Sequence, residues 1–135
     1  MEELAAFIGS WDVEAFGGHG DTTFEWVLGG AFVLQRASAD HPDAPEGLMV
    51  ITPNDDGTYT QHYFDSRGVV RLYAMEFDGR VWKLERSERD FSALDFSQRF
   101  TGEFSEDANT IEGRFEIKEP GADWRLDFEI TYRRR

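Results

Sequence analysis

Residues 124–132 read WRLDFEITY: Trp124, Leu126, Phe128, Ile130 and Tyr132 alternate with Arg125, Asp127, Glu129 and Thr131. In an extended chain successive side chains point to opposite faces, so this segment predicts a strand with one apolar and one charged face. Residues 111–118 repeat the pattern, with Ile111, Gly113, Phe115 and Ile117 set against Glu112, Arg114, Glu116 and Lys118. Residues 96–104 set Phe96, Gln98, Phe100, Gly102 and Phe104 against Ser97, Arg99, Thr101 and Glu103. Three such segments in succession make the chain all-β, each strand having an inside and an outside.

Short turn signals separate the strands: NDDG at 54–57, DSRG at 65–68, DG at 78–79, EDAN at 106–109 and EPGAD at 119–123. Each is as long as a hairpin connection. Strands joined in order by hairpins form an antiparallel up-and-down meander, and closure into a barrel removes the open edges. The reading is a single domain over residues 1–135, a barrel of about ten strands. A short N-terminal helix precedes it, because Leu4, Ala5, Phe7 and Ile8 have helical spacing and Gly9 ends the run. The stretch ASADHPDAPEG at 37–47 is the longest irregular piece, the natural lid and equally the natural disordered bulge.

Composition narrows the function. Twenty-seven Asp and Glu against 14 Lys and Arg give a net charge of −13, a field that repels nucleic acid and anionic membrane surfaces as partners. With no cysteine, thiolate chemistry and disulfides are excluded. The opening MEELAAFIGS carries acids where a secretion signal has bases, and no stretch reaches the roughly 20 apolar residues of a spanning helix. A soluble cytoplasmic protein is expected.

The stretch FIGSWDVEAF at 7–16 places a G-x-W at the start of the first strand. It resembles the opening of the calycin barrels, which include lipocalins, fatty-acid-binding proteins and nitrobindins. The resemblance implies that Trp11 plugs the closed end and that a basic side chain of the last strand covers its ring, Arg134 by parity, with Arg133 second. Further segments are similar to the DUF1579 family of calycin-like bacterial proteins: TTFEWVLGGAFVLQR at 22–36, YTQHYFDSRGVVRLYAMEF at 59–77, VWKLER at 81–86, DFSQRFTGEFSED at 95–107 and FEITYRR at 128–134. That family implies a fold and no established reaction. Nitrobindins hold haem through a histidine near the last strand, where this chain has Ile130, Thr131, Tyr132 and Arg133. No haem or other cofactor is expected.

The cluster QHYFDSRG at 61–68 gathers a histidine, an acid, a serine and an arginine. Strand alternation sends His62 and Asp65 to opposite faces, while Ser66 falls in a turn that Asp65 and Gly68 suit. No catalytic triad is therefore expected. His19, His41 and His62 share no ligand spacing, so no metal is expected either. His62 is assigned to the inner face with Phe64, as a cavity-lining or ligand-contacting residue.

The same parity argument puts Arg36 behind Phe32 and Leu34, Arg86 behind Trp82 and Leu84, and Gln98 between Phe96 and Phe100. Arg36 and Arg86 either reach solvent at the barrel rim or face one cavity. In the second case they would hold a carboxylate while Trp26, Phe32, Trp82, Phe100, Phe128 and Tyr132 clasp an apolar body. The ligand so implied is a small apolar or amphipathic molecule, a fatty acid or an aromatic acid. Two alternatives stand beside this binding function. One is a cofactor-independent enzyme with His62 or Glu25 as base. The other is a homodimer with an assembly role, suggested by Tyr73, Met75 and Phe77 on an outward parity opposite Leu72 and Ala74.

Overall fold

The computed structural model describes residues 1–91 and 93–135. A 3-10 turn, Glu2–Phe7, leads into strands β1 (Gly9–Ala15), β2 (Gly18–Val27), β3 (Phe32–Ala39), β4 (Gly47–Pro53) and β5 (Tyr59–Asp65). The chain continues through β6 (Val70–Phe77), β7 (Val81–Arg86), β8 (Ser97–Phe104), β9 (Thr110–Lys118) and β10 (Arg125–Arg134). Each strand pairs antiparallel with the next and β10 pairs back onto β1, giving a closed barrel of ten strands. The expected turns carry the backbone that reverses it, with φ of 87° at Gly57, 84° at Gly68, 98° at Gly79 and 77° at Gly121. No helix among the described residues is long and apolar enough to cross a membrane.

The N-terminal turn closes one end. Leu4 and Phe7 are fully buried, and the Phe7 ring lies 4.9–5.2 Å from those of Phe24, Phe77, Trp82 and Phe104. Trp11, also fully buried, donates its indole N–H to the Phe7 carbonyl at 2.8 Å. The Arg134 guanidinium lies over the Trp11 ring, 4.1 Å from its centroid, and donates to the carbonyls of Ala6, Ile8 and Ala108. Gly9 makes this approach possible, since its φ is 128° and a Cβ there would meet Arg134 Nη1 at 3.2 Å.

Facing sides are fixed by register, and here several expectations reverse. In β3 the inside residues are Val33 and Gln35, paired with Trp26 and Phe24, so Phe32, Leu34 and Arg36 lie on the outer face. In β5 the inside holds Tyr59, Gln61 and Tyr63, which sends His62 and Phe64 outward. In β6 Tyr73, Met75 and Phe77 are buried inside, and Ala74 and Glu76 are exposed. The aromatic face that suggested a second subunit is thus the barrel's own lining. These three strands are apolar on both parities, so the hydrophobic pattern alone does not choose a side.

In β10, alternation holds for Phe128, Ile130 and Tyr132, but the register shifts between Leu126 and Phe128. This bulge leaves Leu126 opposite Glu116 and half exposed, on the outer face. Trp124, just before the strand, lies beneath the Arg99 guanidinium at 4.2 Å, and Arg99 is in turn paired with Glu116 at 3.0 Å. Inside the barrel, Gly102 and Gly113 are register partners, and a Cβ on Gly113 would lie 2.6 Å from the Phe100 ring. The paired glycines make the slot that Phe100 fills.

Arg134→Met keeps the stem and removes the cation and its donors. Loss of these contacts is expected to cost about 2–4 kcal/mol, read as a lower urea midpoint. An unchanged midpoint would mean that the cap contributes nothing to closure.

Candidate functional site: a cavity inside the barrel

The closed half of the barrel is filled with rings, whereas the half beneath the opposite mouth encloses a cavity of about 420 Å³. That volume falls in the range of small-molecule sites. Its aromatic wall includes Trp82, Phe100, Phe115, Phe128 and Tyr132, with Phe115 and Phe128 stacked at 4.7 Å and Trp82 and Phe100 edge-on at 4.7 Å. Three amides, Gln35, Gln61 and Gln98, line it as well, all buried. Arg67, Arg71, Pro45 and Phe16 stand towards the mouth.

Phe16 sits in the two-residue turn between β1 and β2, with φ of 54°, followed by Gly17 at 71°. Two positive φ values suit a tight hairpin, but a phenylalanine there is strained by roughly 1–2 kcal/mol. Its ring is 79% exposed and rests on Phe128 at 4.5 Å, so the strain holds an aromatic edge over the opening.

Polar groups at the mouth are tied to the turn DSRG. The Asp65 carboxylate accepts from the Tyr63 hydroxyl at 2.7 Å, from Arg67 Nη2 at 2.7 Å and from the Arg67 backbone N–H at 2.9 Å. The Arg67 guanidinium holds Asp65 well below the usual carboxylate range. Burial, reinforced by Asp65, raises the Tyr63 phenol; burial alone raises that of Tyr132, so both stay neutral donors at physiological pH. The cluster is turn chemistry as expected, and through Tyr63 it also fixes a cavity wall.

Arg71 is placed differently. It lies on the inner side of β6, half buried, and reaches Gln98 Oε1 at 3.4 Å; the same oxygen accepts from the Tyr73 hydroxyl at 2.9 Å. Among the described residues Arg71 forms no ion pair, and no carboxylate lines the cavity. Lower down, Gln35 Nε2 donates to Thr22 Oγ1 at 3.1 Å, and that hydroxyl donates to the Arg36 carbonyl at 2.8 Å. The chain of bonds leaves Gln35 Oε1 facing away as an unpaired acceptor. Gln61 Oε1 and the Trp82 indole N–H are also buried without a hydrogen-bond partner among the described residues. Each such group costs about 1–3 kcal/mol until something meets it.

Of the residues expected to line the site, Trp82, Gln98, Phe100, Phe128 and Tyr132 lie on the cavity. Trp26 does not: it extends past the start of β1, at the rim of the closed end, and is 36% exposed. Phe32 and Arg36 are on the outer face, Arg36 exposed beside Leu48. His62 is outside too, with Nε2 3.1 Å from Thr52 Oγ1, and Glu25 is exposed, so neither base of the enzymatic alternative reaches the cavity. Arg86 does point inward and is buried, but Asp90 grips it bidentately at 2.9 Å through both Nε and Nη2. Asp90 also accepts the Leu72 N–H at 2.8 Å, so the pair fastens the loop after β7 onto β6. An arginine held this way has no free fork for a ligand carboxylate.

The residues missed were Arg71, Gln35, Gln61 and Phe16. In β6 Glu76 puts a charge on the even parity and Arg71 puts one on the odd, so charge pattern alone left the side of Arg71 open. The chain matches no protein-family model and no curated protein. Fold and site together define a closed ten-stranded antiparallel barrel with an internal, aromatic, amide-lined cavity.

Two outcomes are expected. Asp90→Asn leaves the buried Arg86 charge without its counterion and should cost about 3–5 kcal/mol in chemical unfolding, while Arg86→Met combined with Asp90→Leu recovers most of that. For Asp65 the folded pKa lies below the unfolded value of about 3.9. Its contribution is therefore complete above that value and is lost as pH falls towards the folded one. Thermal scans of Asp65→Asn should show lower stability at neutral pH and a shallower loss on acidification; an unaltered acid slope would mean that this carboxylate is not a source of acid sensitivity.

Proposed function

We propose that the protein is a small-molecule carrier or sensor of the calycin-like kind, binding an amphipathic acid inside the barrel. The observation that carries this reading is Arg71, a half-buried cation on the cavity wall with no carboxylate to neutralise it among the described residues. A ligand carboxylate at Arg71 would take the remaining donors of that guanidinium, while its apolar body lies against Trp82 and Phe100. The net charge of −13 does not oppose this strongly, because charges beyond about 8 Å are largely screened at physiological ionic strength, leaving the local cation to dominate. The resemblance of residues 7–16 to calycin openings agrees with a ligand held in the barrel. The overall acidity favours a role in the soluble phase of the cytoplasm over one on anionic membranes.

Trp82 on the wall provides the readout. Titration with phenylacetate, 3-phenylpropanoate and decanoate is expected to change tryptophan fluorescence saturably for at least one acid. Arg71→Leu should weaken that acid by about tenfold or more while leaving its uncharged alcohol analogue unaffected. No response to any acid, by fluorescence or calorimetry, overturns the reading.

A further inference from the structure

Resting on that binding function, we propose that the cavity has a second, uncharged pole below Arg71 that selects an aromatic acid bearing a ring hydroxyl over a plain fatty or aryl acid. The pole consists of Gln35 Oε1, Gln61 Oε1 and the Trp82 indole N–H, three groups on cavity-lining residues that are buried without a hydrogen-bond partner among the described residues. Gln35, Gln61 and Trp82 are 3%, 4% and 2% exposed, so bulk water does not reach them as it reaches the mouth.

Register locates the pole relative to the cation. Tyr63 pairs with Arg71 and Gln61 with Tyr73, which puts Gln61 one inward position nearer the closed end than Arg71. Trp82 pairs with Phe77, further still along the same strand. One inward step along a strand is about 6.6 Å, so the level of Gln61 lies within the span of one aromatic ring substituted at both ends, and Trp82, opposite Phe77, lies two inward steps beyond it.

The three groups also define the chemistry. Thr22 spends its hydroxyl hydrogen on the Arg36 carbonyl, so it can only accept from Gln35, and Gln35 is left presenting an oxygen. Two amide oxygens call for a donor and the indole N–H calls for an acceptor. A phenolic hydroxyl can serve either need, donating to a glutamine or accepting from Trp82. An alkyl chain or unsubstituted ring would cover all three groups and satisfy none. Sites that hydrogen-bond a ligand hydroxyl reject the analogue lacking it, because the buried partners stay unpaired.

Calorimetric titration of the wild-type chain with 3-phenylpropanoate, its 4-hydroxy and 3,4-dihydroxy derivatives, and decanoate tests this. At least one hydroxylated acid is expected to bind about tenfold or more tightly than the parent acid and decanoate. In Gln61→Met and Gln35→Met, checked for native circular dichroism, that preference should shrink in at least one variant, because the oxygen that rewards the ligand hydroxyl is gone. Equal wild-type affinity with and without the hydroxyl overturns the inference and leaves the carboxylate site standing, as does a preference that survives both variants. Absence of binding by every acid overturns both.

Discussion

Closure of the barrel depends on one guanidinium. Arg134, at the end of the last strand, covers the ring of Trp11 in the first and donates to carbonyls of the N-terminal turn and of the turn between β8 and β9. It carries a charge into a half-buried place without an ion pair among the described residues. Carbonyl oxygens and the negative face of an indole replace the water it gives up. Three pieces of chain far apart in sequence, residues 6–11, Ala108 and Arg134, are thereby joined at one point beside the seam between β1 and β10. The ring of Phe7 can then sit across the closed end as a plug rather than as an exposed aromatic.

From that plug upwards the interior changes character. Near the closed end, rings pack edge to face and leave no room. Around the middle, Gly102 and Gly113 let Phe100 lie flat against the wall, and amides replace aliphatic side chains on β3, β5 and β8. Three buried groups without a hydrogen-bond partner among the described residues, Gln35 Oε1, Gln61 Oε1 and the Trp82 indole N–H, belong to residues of this one wall. Charge follows the same division. Arg86 is spent on Asp90 and Arg67 on Asp65, each holding a loop in place, and Arg71 alone of the three lies free of a carboxylate beside the space a ligand would fill.

How far the sequence could be read varied strand by strand. In β8 and β9, and in β7 up to its last residue Arg86, charged residues occupy one parity, so Trp82, Gln98 and Phe100 could be assigned to the inside from composition. In β3 and β5 the residues FVLQR and TQHYF offer apolar groups on both parities, and reading the larger rings as inner put Arg36 and His62 on the wrong side. Burial of a glutamine in place of a phenylalanine is not a choice that hydrophobicity predicts. The segment WRLDFEITY alternates without interruption, yet a bulge at its centre turns Trp124 and Leu126 to the outside, where Arg99 and the neighbouring strand receive them.

By itself the sequence determined an all-β meander, its hairpin turns, and the pairing of Trp11 with a terminal arginine implied by the resemblance, because these rest on period-two alternation, turn residues and local order. Which parity faces inward in the two-sided strands, which arginine stays unpaired and which amides lack partners were decided only by the closed tertiary structure. Each depends on the register a strand takes from its neighbours around the ring, and in a closed sheet that register is a property of all ten strands together.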